Sequence, residues 1–165
     1  MPLKVVRPKV ARPKAARRLE LDVSYGSRSP WAPGARLLRR WVEATLSPSA
    51  TPLGVSVRIV GRARSRSLNY RYRHKDKPTN VLSFAGAGMV PDGRSFLGEL
   101  VICAPLVALE ARAQHKTLRA HWAHLTIHGV LHLLGFDHER TTEARKMAAR
   151  EIQILDRLGF SNPYR

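Results

Sequence analysis

The chain has 165 residues, 44% of them hydrophobic, which is enough for one domain with a genuine core and short for two. Its 29 Lys and Arg against 12 Asp and Glu give a formal charge of +17, so a polyanion, above all nucleic acid, is the natural partner. No run approaches the roughly 18 apolar residues of a membrane span, the start lacks the apolar centre of a signal peptide, and a lone Cys permits no internal disulfide, a pattern that predicts a soluble, cytoplasmic protein with no membrane partner.

Residues 1–18 hold seven of the cations and no acid, with Arg-Pro-Lys at Arg7–Lys9 and again at Arg12–Lys14. They offer no apolar stripe whose burial would offset the entropy of ordering, so they are expected to be a disordered basic arm ahead of one domain over residues 19–165. That remainder keeps 22 bases against 12 acids and still favours RNA or DNA without the arm.

Residues 19–25 alternate apolar and polar as a half-buried strand does. Pro33 and the stripe Leu37, Leu38, Trp41, Val42, Leu46 mark an amphipathic helix that ends at Ser47-Pro48. Residues 53–60 read as a second strand, and residues 62–73 as a helix bearing Arg62, Arg64, Arg66, Arg71 and Arg73. A turn-rich stretch leads into a strand at 81–85, a loop centred on 87–95, and a returning antiparallel strand at 96–104. Helices follow at 105–115, 118–134 and 142–158, the last closed by Gly159. The order predicts an α+β domain, a single mixed sheet packed on helices. The 118–134 helix, apolar at Leu125, Ile127, Val130, Leu131 and Leu134, should lie at the centre.

That helix carries the chemistry. His128 and His132 are four apart, so their rings stand on one helical face about one turn, ~6 Å, from each other and can grip one ion. His138 cannot reach them along a straight helix, where six further residues add roughly 9 Å of rise. Gly135 resolves this, since a glycine can take the left-handed conformation that ends a helix and turns the chain back. His124 stands one turn earlier, but 124, 128 and 132 span about 12 Å, too far for a single ion with bonds of about 2 Å. It either orients a ligand or belongs to the core.

The spacing is that of the extended zinc-protease motif, with Gly129 where those enzymes carry their general-base Glu. A peptidase reading therefore lacks its proton carrier. Three neutral imidazoles leave one tetrahedral position open, the catalytic rather than the closed structural pattern, and a water held there could ionise near neutral pH. A closed site needs a fourth ligand, for which Cys103 and Asp137 are the candidates.

The blocks LNYRYRHKDKPTNVLSF, LGELVIC, AHWAHLTIHG and HGVLHLLGFDH, in this order, resemble the YbeY family of bacterial metal-dependent endoribonucleases linked to ribosomal RNA maturation and ribosome quality control. The resemblance runs from about Leu19 to Tyr164 and stops short of the basic arm. It implies His128, His132 and His138 as ligands of one zinc or other divalent transition metal, and Arg73 as the catalytic arginine. It further implies a cytoplasmic enzyme acting on small-subunit ribosomal RNA; protein partners are not legible. A guanidinium suits that role because it makes forked bonds to phosphate and keeps its charge. Asp76, Thr79 and Asn80 follow in a polar loop that could line the site. Whether attack comes from water or from the ribose 2′-OH is left open. The rival functions are a metallopeptidase-like hydrolase and a non-catalytic ribosome-assembly factor with a structural metal.

Overall fold

Alternate burial along Leu53–Val60 shows why this segment becomes the inner strand of a sheet: Leu53, Val55, Val57 and Ile59 all point to one covered face. In the computed structural model the described residues are 18–47, 52–89 and 93–165. The arm expected over residues 1–18 therefore lies, Arg18 apart, outside the described residues.

In chain order the elements are β1 (Leu19–Tyr25), α1 (Ala35–Thr45), β2 (Leu53–Val60), α2 (Arg62–Arg73), β3 (Val81–Met89), β4 (Ser95–Cys103), α3 (Ala104–Ala113), α4 (Leu118–Leu133) and α5 (Thr141–Arg157). The sheet order is β1-β2-β4-β3, with β1, β2 and β4 parallel and β3 antiparallel to β4. The fold is thus α+β with one mixed sheet. One expectation needs correction: residues 87–89, read as loop, extend β3. Their Ala-Gly-Met composition gives no alternation, yet they pair with Ser95 and Phe96 across a register shift between Ala85 and Gly88.

The sheet divides the core. On one face Val55, Val57, Ile59, Leu100 and Ile102 meet Leu38, Trp41 and Val42 of α1 and Trp122, Ile127, Val130 and Leu131 of α4. On the other, Leu68 of α2 covers Val60, Leu82, Val101 and Cys103. α4 touches α1, α3, α5, β3 and β4, which makes it the central helix, as its all-round apolar sequence predicts. Among the described residues no helix is long and apolar enough to cross a membrane.

Candidate metal centre

α4 begins where Thr117 accepts a hydrogen bond from the Ala120 amide, and ends in a turn whose geometry decides the site. The Phe136 amide donates to Leu131 O and the Gly135 amide to His132 O, the paired bonds of a Schellman ending, with Gly135 at φ +91°. The chain reverses, and Asp137 Oδ1 accepts from the amides of His138 and Glu139, pinning the turn. His138 is thereby brought back over the last turn of α4.

The three histidines meet. His132 Nε2 lies 3.1 Å from His128 Nε2 and 3.2 Å from His138 Nδ1. The nitrogens of a tetrahedral zinc stand roughly 3.3 Å apart for bonds of about 2.0–2.1 Å, so the spacing suits one ion. The donor set points the same way. His132 Nε2 faces two ring nitrogens and a single proton can serve only one of those contacts, whereas a shared cation satisfies both. Burial, helped by the neighbouring His128 and His138, pushes the His132 pKa down and favours the neutral ring that a metal requires. Neither suggested fourth ligand joins the cluster: Cys103 is buried in the core beneath α2, where burial pushes its thiol up, and Asp137 is engaged in its own turn.

The triad lies in a cleft of about 450 Å³ that Arg73, Thr79, Asn80, Ser83 and Leu133 also line. Arg73, the last residue of α2, is exposed and has no carboxylate partner among the described residues. The segment after it is held from below. Ser65 Oγ donates to Thr79 O and accepts from the Thr79 amide, while Asn69 Nδ2 donates to Lys77 O. Asn80 lines the cleft, but its amide nitrogen is committed to the Glu110 carboxylate, 3.1 Å from each oxygen. Asp76 does not join the cleft lining. Its exposed carboxylate takes a forked pair of bonds from Arg66 at 2.7 and 2.9 Å, and that hydrogen bonding keeps its pKa low. His124 stands one turn back from the triad, its Nε2 3.4 Å from Glu151.

A family model described as Endoribonuclease YbeY matches residues 32–159. The chain belongs to the YbeY endoribonuclease family. Membership makes RNA its substrate class and ribosomal RNA processing its setting. The solution structure of TM1509 from Thermotoga maritima is similar in fold, with a TM-score of 0.51 and 24% identity over 84% of this chain and 91% of that one.

Two features of this YbeY chain escape a reading of sequence spacing. Gly129, where a zinc protease has its glutamate, sits at the contact of α4 with the sheet: its carbonyl accepts from Ser83 Oγ at 3.1 Å, and a Cβ there would lie 2.8 Å from Leu100 Cδ2. A glutamate there would have to displace Leu100, which is fully buried on β4. The second is Glu151, wholly buried on α5, with His128 Nδ1 2.5 Å from Oε1 and both His124 Nε2 and the Tyr164 hydroxyl on Oε2. Burial pushes its pKa up, but those three hydrogen bonds outweigh it and hold the carboxyl at about 2. Burial, helped by the same contact, raises the Tyr164 pKa. A signal for Glu151 existed, since it falls in the stripe of Met147, Ile154 and Leu155, where an amphipathic helix normally places an apolar residue.

Proposed function

We propose that this protein is a zinc-dependent endoribonuclease that cuts single-stranded segments of small-subunit ribosomal RNA, with a part in ribosome quality control. The observation that carries the reading is one cleft holding both three convergent imidazole nitrogens and the Arg73 guanidinium, which has no carboxylate partner among the described residues. His128, His132 and His138 would hold the ion at the C-terminal end of α4, where the helix dipole favours a cation. A metal so held supplies Lewis acidity to a phosphate oxygen and lowers the pKa of water toward neutrality.

The chain's own residues supply binding and charge stabilisation. Arg73 clamps the scissile phosphate through its fork and stabilises the charge that develops on it. Thr79 and the walls formed by Ser83 and Leu133 bound the strand's path. An unpaired strand can splay its backbone into such a cleft, whereas a duplex holds its phosphates on a rigid helical surface. Action on ribosomal RNA follows the family, and the ribosome quality control and cytoplasmic setting rest on that resemblance. The peptidase alternative is disfavoured by the packing at Gly129, and the closed structural site by the position of Cys103.

The test is cleavage of a structured ribosomal RNA fragment by zinc-loaded protein beside a His132→Ala variant purified identically. Wild-type protein should cut at unpaired positions and the variant should not. Equal cutting by both would trace the activity to a contaminant and sink the proposal, as would metal-dependent cleavage of a protein substrate with the RNA left intact.

A further inference from the structure

A carboxylate wholly removed from water persists only where donors surround it. Glu151 has three, and they are divided unequally between its oxygens. Tyr164, from the C-terminal segment, and His124, one turn before the triad, share Oε2. Oε1 is left to His128 Nδ1, at 2.5 Å. A ring nitrogen that close to a carboxylate carries the proton, so the opposite nitrogen presents a lone pair. That opposite nitrogen, His128 Nε2, is the one that faces His132 across 3.1 Å.

We propose that Glu151 is a positioning residue of the metal centre: by accepting the Nδ1–H of His128 it fixes the tautomer and rotamer that aim Nε2 at the ion and makes that nitrogen a better donor. Tyr164 and His124 steady the carboxylate from its far side. The inference rests on the metal-site reading above. The same atoms admit a rival, because His124, His128 and Glu151 also bring ligand atoms within 4.8 Å of one another and could form a second metal site. That rival requires His128 to surrender its Nδ1 proton and bridge two cations, and requires the ion to displace the Tyr164 hydroxyl, so it is the weaker reading.

The experiment uses the full chain, with zinc as the probe. Nitrogen-15 shifts of the histidine rings in wild type should show His128 protonated at Nδ1 both before and after zinc is added, and zinc should bind at one ion per chain. Glu151→Gln keeps an acceptor oxygen but loses the charge; it should retain the fold and bind zinc about 10-fold more weakly by chelator competition. Tyr164→Phe, which removes one of the two donors on Oε2 and leaves the Oε1 contact with His128, should weaken zinc binding less than Glu151→Gln does. A wild-type His128 protonated at Nε2 before zinc is added would overturn the proposal without any variant. So would Glu151→Gln with unchanged zinc affinity and a lowered unfolding temperature, which would make the residue a strut between α4 and α5. Two zinc ions in wild type and one in Glu151→Gln would establish the rival site. A wild type that binds no zinc would sink the metal-site reading itself, a result distinct from wild type and variant binding equally well.

Discussion

At the residue scale the proposed function separates holding a metal, assigned to the three histidines, from handling a phosphate, assigned to Arg73. His128→Ala, His132→Ala and His138→Ala should each lower zinc content sharply, and His115→Ala, which lies away from the triad, should not; elemental analysis of purified protein checks this. Arg73→Ala should keep metal and unfolding temperature while RNA cleavage falls about 100-fold, the usual cost of losing one charge-stabilising group. Arg73→Lys should recover part of the rate, because a point charge lacks the fork. Full activity in Arg73→Ala would remove it from the site. The histidines were legible because helix geometry and one glycine fix where they go. Asp76 was not: a sequence shows a carboxylate in a polar loop but not Arg66 ten positions away on the preceding helix, which claims it. Glu151 stayed hidden because its partners come from α4 and the C-terminal segment, and a residue is read as solvated until its neighbours are known.

At the element scale the site depends on how α4 ends and what it packs against. Gly135→Ala should cost about 1–2 kcal/mol by placing a side chain in a left-handed conformation, and should weaken zinc binding by displacing His138; thermal unfolding and chelator competition check the two effects separately. Gly129→Glu should not create a peptidase. It should destabilise the protein by about 3 kcal/mol, by crowding Leu100 and burying an unpaired charge. Glu110 ties the segment after α2 to α3 and α4 through Asn80 and His121. Burial pushes its carboxyl up, but His121 and Asn80 outweigh this and leave the pKa below the ordinary value. Its stabilisation is therefore present above the ordinary carboxylate pKa and is lost as pH falls through the lowered one. Denaturant unfolding should show Glu110→Gln less stable than wild type at neutral pH, with the gap closing in acid; a constant gap would deny the ionised contact. The strands and helices were legible from period and caps. The end of β3 was not, since Gly-Ala-Gly carries no alternation and is held as strand by pairing across the sheet with β4.

At the scale of the whole molecule, charge and fold act on different parts of binding. Arg18 already belongs to the domain, its carbonyl accepting from the Leu53 amide at 3.1 Å, so a truncation should stop at residue 17. Removing residues 1–17 deletes six cations. Each one that touches a single strand contributes roughly 0.7 to the slope of log affinity against log salt, so the slope should flatten by at most about 4 units. Cleavage position should stay fixed, because phosphate contacts carry no base information. An unchanged slope, measured by salt-dependent RNA binding, would show the arm to be a bystander. The way the triad is mounted has a consequence in time. His128 and His132 stand on a helix enclosed by five other elements, whereas His138 is exposed on the turn between α4 and α5. On the proposed metal-site reading, an ion would rest on two ligands from the enclosed helix and one from an exposed turn. Its exchange with the surroundings should follow the opening rate of residues 134–140 rather than unfolding of the domain, so the protein can be stripped and reloaded while fully folded.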